Sequence, residues 1–214
     1  LDSLLAKIEA ENQGGAPTIF LGDYIDRGKQ SAQVLTRIFE LNQTAPDKYV
    51  CIMGNHEKMM LEFIDDPAGR GARWLVNGGL ETLTSFGVTG VEARARTEDA
   101  LDAADALEAA MPSGMQSWLR DLPKIWSSGN VHCVHAALDP SKPITGQRSE
   151  VMLWGHRDFM TVPRNDGECV VYGHVIVPKP DARDGRIAID TGAYKSGRLT
   201  GVRVDADGWQ FLSG

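Results

Sequence analysis

Thr18-Ile19-Phe20-Leu21-Gly22-Asp23-Tyr24-Ile25-Asp26-Arg27-Gly28 is the stretch from which the fold can be read. Its first four residues form an apolar run rich in β-formers, which predicts a short buried strand ending at Gly22. The pattern returns in Tyr49-Val50-Cys51-Ile52-Met53, which ends at Gly54 and leads into Asn55-His56-Glu57. Between the two runs, Val34, Leu35, Ile38, Phe39 and Leu41 stand near helical spacing. A helix is therefore expected from Ser31 to Leu41, with Ser31 as its cap and the segment Asn42 to Asp47, including Pro46, ending it. A strand, helix, strand unit puts both glycine-bounded loops at the carboxyl ends of parallel strands, where open α/β sheets hold ligands and metals. Gly22, Gly28 and Gly54 allow the tight backbone that brings their neighbours together.

Outward from this unit, residues 1 to 13 read as an amphipathic helix with Leu1, Leu4, Leu5 and Ile8 on one face, closed by Gly14-Gly15 and Pro17. A helix from Glu57 to Ile64 is expected to stop at Asp65-Asp66-Pro67. Residues 71 to 122 read as a helical insertion, with helices around Trp74 to Val76, Leu80 to Phe86, Thr97 to Ala110 and Met115 to Leu119. From Val131 the period shortens to strands: Val131 to Val134, Cys169 to Tyr172, Arg186 to Asp190, Leu199 to Val204 and Trp209 to Leu212. The expected fold class is α/β, two packed sheets with helices on their outer faces. One domain over residues 1 to 214 suits the length.

The 214 residues carry a net charge of −7, so the bulk field does not favour nucleic acid or an anionic membrane. An anionic substrate must then be held by local positive charge. No apolar stretch reaches the roughly 18 residues a membrane helix needs. Cys51, Cys133 and Cys169 lie in apolar strand-like runs without metal-ligand spacing, which points to reduced thiols and a cytoplasmic location.

Gly22-Asp23-Tyr24-Ile25-Asp26-Arg27-Gly28 and Gly54-Asn55-His56-Glu57 resemble the second and third signatures of the calcineurin-like metallophosphoesterases. The likeness is to the serine/threonine phosphoprotein phosphatase family, nearest its bacterial members, whose fold is a four-layer sandwich. Val134-His135-Ala136, Tyr172-Gly173-His174 and Ile189-Asp190-Thr191-Gly192-Ala193 extend it over residues 1 to about 204. The resemblance implies two divalent metal ions per intact site, manganese first, with iron or zinc as other candidates. It makes Asp23 the carboxylate shared by both ions, and Asn55, His135 and His174 the further ligands of the second. His56 would protonate the leaving oxygen, Asp26 would orient His56, and Arg27 would hold phosphate oxygens. His132, three residues before His135, reads as structural, and Glu57 as an orienting or helix-start residue.

The implied activity is phosphomonoester hydrolysis, of phosphoserine or phosphothreonine, by direct attack of a metal-bridging hydroxide. The substrate would be a phosphorylated protein or a small phosphoester. Dinucleoside polyphosphate hydrolysis ranks lower, because members with that activity typically lack the order Asp26-Arg27-Gly28. A non-catalytic module that binds phosphorylated partners is the reading from a different class. Leu153-Trp154-Gly155-His156-Arg157-Asp158 departs from the family, which often carries a phosphate-binding arginine where His156 stands. Two readings compete there: Arg157 reaches phosphate through a loop adjustment, or His156 replaces it. Trp74-Leu75-Val76-Asn77-Gly78-Gly79 also resembles a segment of bacterial members, with Asn77 either a pocket residue or a helix cap. The family's first signature, Gly-Asp-x-His-Gly, normally stands just ahead of a segment like Leu1-Asp2-Ser3-Leu4-Leu5, so the other ligands of the first ion are expected before Leu1. A chain that truly lacked them would hold at most one ion tightly.

Overall fold

The computed structural model describes residues 1–12 and 14–214, so Gln13, within the first expected helix, lies outside the described residues. In chain order the elements are α1 (Asp2–Glu11), β1 (Thr18–Phe20), α2 (Ser31–Thr44), β2 (Tyr49–Cys51), α3 (Asn55–Asp65) and α4 (Gly71–Trp74). The segment Leu75–Gly79, kinked at Gly78, then leads to α5 (Leu80–Ser85), α6 (Thr97–Ala110), α7 (Met115–Asp121), β3 (Ile125–Ser128) and β4 (Val131–Val134). The last elements are α8 (Ser149–Trp154), β5 (Cys169–Tyr172), β6 (Asp181–Arg183), β7 (Arg186–Ala188), α9 (Ala193–Ser196), β8 (Thr200–Asp205) and β9 (Gly208–Ser213). The protein is α/β with mixed sheets, and its backbone packing forms two units: Leu1–Leu21 with Lys124–Gly214, and Gly22–Pro123.

In the first unit a five-stranded sheet runs in the order β3-β4-β5-β7-β6. Its centre, β4-β5-β7, is parallel, and β3 and β6 are antiparallel edges. The strand period of two sorts side chains to opposite faces. Val134, Val170, Tyr172 and Ala188 face one core with Leu138, Phe159 and α8 residues Val151 and Met152. Cys133, Val171 and Ile187 face another with Ile19, Leu21, Val202, Val204 and Phe211. Side chains as fully buried as Val134, Leu138 and Val170 each contribute about 1.5–3 kcal/mol.

Both edge strands lie outside the expected set, and turn chemistry explains them. Asp184-Gly185 joins β6 to β7 with φ of 50° and 70°, as a type I′ hairpin requires. Gly129 takes φ 55° between β3 and β4. Helix α8 is likewise additional.

In the second unit α2 runs three residues beyond the expected Leu41 before Pro46 closes it. Ser31 does not cap it: Gln30 holds that place, while the Ser31 hydroxyl donates to the Gly28 carbonyl at 2.8 Å and accepts from the Asp26 N–H at 3.1 Å. Helix α3 starts at Asn55 rather than Glu57, because the Glu57 carboxylate reaches back to the Gly54 N–H at 3.0 Å. Asn55 and His56 thereby occupy its first turn. Helix α6 buries Ala100, Ala103, Ala104 and Leu107 and packs on α3. Burial pushes the thiols of Cys51 and Cys133 up to about 12. Among the described residues, no helix is long and apolar enough to cross a membrane.

Candidate active site

The two motif loops meet where neither tolerates a side chain on its glycine. A Cβ on Gly22, whose φ is 86°, would lie 2.5 Å from the Gly54 Cα, and one on Gly54 would lie 2.4 Å from the Asp23 nitrogen. Asp23, Asp26 and Arg27 have φ of 54°, 75° and 61°, a left-handed conformation that L-residues rarely adopt without support. Part of that support is Glu57, which is fully buried. Its carboxylate accepts the N–H groups of Asp23 at 2.9 Å, Tyr24 at 2.7 Å and Gly54 at 3.0 Å. One buried anion thus fastens both loops and the start of α3. The Asp23 carboxylate accepts the His56 N–H at 3.3 Å, at a helix N-terminus where negative charge is favoured.

Asp26 and His56 form a buried pair, Nδ1 to Oδ2 at 2.5 Å. Trp74 Nε1 donates to both Asp26 oxygens at 3.0 and 2.9 Å, and the Thr82 hydroxyl donates to Oδ1 at 2.6 Å. Burial drives the Asp26 carboxyl above its ordinary range, opposed by the bonds from His56, Thr82 and Trp74. Every contact is with a donor, which fits the ionised form. Burial alone would lower the His56 pKa; the Asp26 bond and the charges of Asp23, Asp26 and Glu57 outweigh it and raise it. With Nδ1 engaged by Asp26, Nε2 is the nitrogen available to exchange a proton with a substrate.

Arg27 is exposed, and its Nε donates to the Asn77 carbonyl at 3.3 Å. The Asn77 side chain donates to the Arg73 carbonyl at 2.8 Å, so it caps no helix; its backbone, rather than its amide, addresses Arg27.

In the other unit, His135 and His174 follow β4 and β5, whose parallel pairing aligns Val134 with Tyr172. The Gly173 N–H donates to the His135 carbonyl at 2.8 Å and ties the strand ends together. His135 Nδ1 donates to the Leu21 carbonyl at 2.8 Å, which leaves Nε2 with its lone pair facing His174 Nδ1 at 3.1 Å. Two imidazoles on one ion at 2.0–2.1 Å stand about 2.9–3.4 Å apart, depending on geometry. The pair fits a shared divalent metal, and the carbonyl bond on His135 is the outer support such ligands take. His132 is bonded instead to Ser127 and Glu168, at 2.8 and 2.7 Å, the structural role expected of it.

His156 is half-buried, with Nε2 3.7 Å from the Asp139 carboxylate and Nδ1 accepting the Asp158 N–H at 3.3 Å. Arg157 is 89% exposed and paired with its neighbour Asp158 at 3.5 Å. Asp190 accepts the Gly192 N–H at 2.8 Å, which supports its turn. Sequence reasoning missed Trp74 and Thr82 as partners of Asp26. The only signal was the bacterial-type segment beginning at Trp74.

The family model for calcineurin-like phosphoesterases matches residues 1–178. The chain belongs to that family. Among curated proteins, this calcineurin-like phosphoesterase is 27% identical to a bis(5′-nucleosyl)-tetraphosphatase PrpE (asymmetrical) of Bacillus velezensis, over 94% of this chain and 82% of that one. A match to an uncharacterized protein of Caenorhabditis elegans is 40% identical but spans only 21% of this chain and 18% of that protein. Among solved structures, a putative diadenosine tetraphosphatase superposes with a TM-score of 0.64 at 17% identity, covering 99% of this chain and 86% of that one. A protein serine/threonine phosphatase from Saccharomyces cerevisiae, with similarity to human phosphatase PP5, follows at 0.60 and 14%, covering 99% and 75%. At these identities the structures establish a shared fold. Family membership makes the chain a metal-dependent phosphoesterase.

Proposed function

We propose that this phosphoesterase hydrolyses a phosphoanhydride bond in a dinucleoside polyphosphate. The observation that carries the reading is the likeness to a tetraphosphatase, 27% identical over 94% of this chain and 82% of that one. It reverses the order expected from Asp26-Arg27-Gly28, which favoured a protein phosphatase.

Asp23, Asn55, His135 and His174 are proposed as metal ligands. Divalent ions would supply positive charge to the phosphoryl group and a water of lowered pKa. Arg27 would meet phosphate oxygens through its exposed guanidinium. In the step itself, a bond forms from the water oxygen to phosphorus as the bridging P–O bond breaks. His56 gives a proton to the leaving phosphate oxygen, and the proton lost by the water returns to solvent, so one water is consumed.

The test is kcat/KM for diadenosine tetraphosphate against a phosphoserine peptide, in protein stripped by chelator and reloaded with Mn²⁺. The proposal expects the dinucleotide to lead by at least about 10-fold, a difference of about 1.4 kcal/mol in transition-state binding. A lead for the phosphopeptide would establish the serine/threonine phosphatase reading that Asp26-Arg27-Gly28 favours. Binding without turnover of either would establish the non-catalytic module.

A further inference from the structure

We propose that Trp74 and Thr82 are positioning residues that hold Asp26, and through it His56, in the orientation for proton transfer. The inference rests on the role given to His56 above.

Asp26 lies in a loop at φ 75°, so no secondary structure holds its backbone or aims its carboxylate. Thr82 does both. A hydroxyl has a single proton, which here goes to Asp26 Oδ1 at 2.6 Å, while the same oxygen accepts the Asp26 N–H at 2.9 Å. Rotation of Asp26 about either its φ or its side-chain torsions breaks one of the two. Trp74 contributes the complementary constraint: its N–H is nearly equidistant from the two carboxylate oxygens, which fixes the tilt of the carboxylate plane. The Asp26 side chain is entirely sheltered from solvent, so water cannot substitute for a lost donor.

The segment from Trp74 to Gly79 is shaped by this task. Trp74 is fully buried and packs on Phe63, with ring centroids 4.9 Å apart. A Cβ on Gly79 would lie 2.5 Å from the indole Cδ2 and displace the ring. Gly78 takes φ 114°, and a Cβ there would lie 2.7 Å from the Arg27 nitrogen and 3.0 Å from the Asp26 Cβ. The kink at Gly78 redirects the chain between Trp74 and Thr82, and both side chains reach one carboxylate. Asn77-Gly78-Gly79 therefore works through backbone geometry, with Asp26 and Arg27 as its two clients.

The test compares wild type with Trp74→Phe, which keeps the ring packing and removes the N–H, and with Thr82→Val and Thr82→Ser. The expected result for Trp74→Phe is a kcat about 10-fold lower for phenyl phosphate, with KM within about twofold. The loss should be smaller for p-nitrophenyl phosphate, whose leaving group needs less help from an acid. Thr82→Ser should recover most of what Thr82→Val loses. Independently of turnover, the downfield proton resonance of the His56 Nδ1–H to Asp26 bond, identified by its absence in Asp26→Asn, should move or vanish in Trp74→Phe. An unmoved resonance in a folded Trp74→Phe protein, or equal losses on both esters, would overturn the proposal. If wild type turned over neither these esters nor diadenosine tetraphosphate, the proposed function would fall, and the resonance alone would decide the positioning.

Discussion

The motif loops of the Gly22–Pro123 unit and the histidine pair of the other unit hold their candidate functional side chains by different means. Asp23, Asp26 and Arg27 stand on left-handed backbone in loops, and buried polar groups from Glu57, Trp74 and Thr82 restrain them. His135 directly follows β4, where sheet register and one Leu21 carbonyl hold it, whereas His174, two residues past β5, shares the left-handed backbone of the loops at φ 64°. Side chains set in loops depend on buried hydrogen bonds, whereas one directly at a strand end, as His135 is, takes its place from sheet register.

The contrast breaks most visibly at Glu57. Glu57→Ala would leave the N–H groups of Asp23, Tyr24 and Gly54 without their acceptor, at about 1–3 kcal/mol each. Urea denaturation should show a loss of roughly 3–5 kcal/mol. A loss below about 1 kcal/mol would mean that the loops hold themselves. At the strand ends the balance should invert. For His174→Ala, calorimetric titration should give Mn²⁺ affinity at least about 10²-fold weaker. The metal-free stability of that variant should change by no more than about 1 kcal/mol. A comparable collapse of stability would make the histidines part of the scaffold.

The smallest effect provides a background for both. Asp65 at the end of α3 is bonded to Arg120 of α7 at 2.6 and 3.1 Å, and that hydrogen bond holds its carboxyl below the ordinary carboxylate range. A depressed folded pKa contributes stability above the unfolded value, about 3.9, and loses it as pH falls through the folded one. The pair is largely exposed, so Asp65→Asn should cost well under about 1 kcal/mol at neutral pH. Melting temperatures of wild type and variant should converge on acidification below the folded pKa. A difference that persisted there would have another origin.

The parts of the site legible in the sequence were those with local causes. Strands ending at Gly22 and Gly54, and histidines following Val134 and Tyr172, announce themselves by apolar runs that stop at a polar or glycine residue. Thr97–Ala110 was readable to the residue because an Ala-rich helix has strong propensity and clear ends. The edge strands were harder: Ile125-Trp126-Ser127-Ser128 carries only two apolar residues. The other edge strand carried a local signal in its Asp184-Gly185 turn, yet it too lay outside the expected set. Least legible were the partners of Asp26, since Trp74 is 48 and Thr82 56 residues away. No local period encodes such a contact. Asn77 misled because a polar residue before a helix reads as a cap, whereas here it lies just ahead of the Gly78 kink and its amide turns back to the Arg73 carbonyl.

The central claim, hydrolysis of a phosphoanhydride bond in a dinucleoside polyphosphate, is met most directly by resolving the nucleotides released from diadenosine tetraphosphate by Mn²⁺-loaded wild type. The account predicts that the tetraphosphate is split at a phosphoanhydride bond into smaller adenine nucleotides, with the cleavage abolished by chelator. Recovery of intact substrate alongside rapid dephosphorylation of a phosphoserine peptide would contradict it.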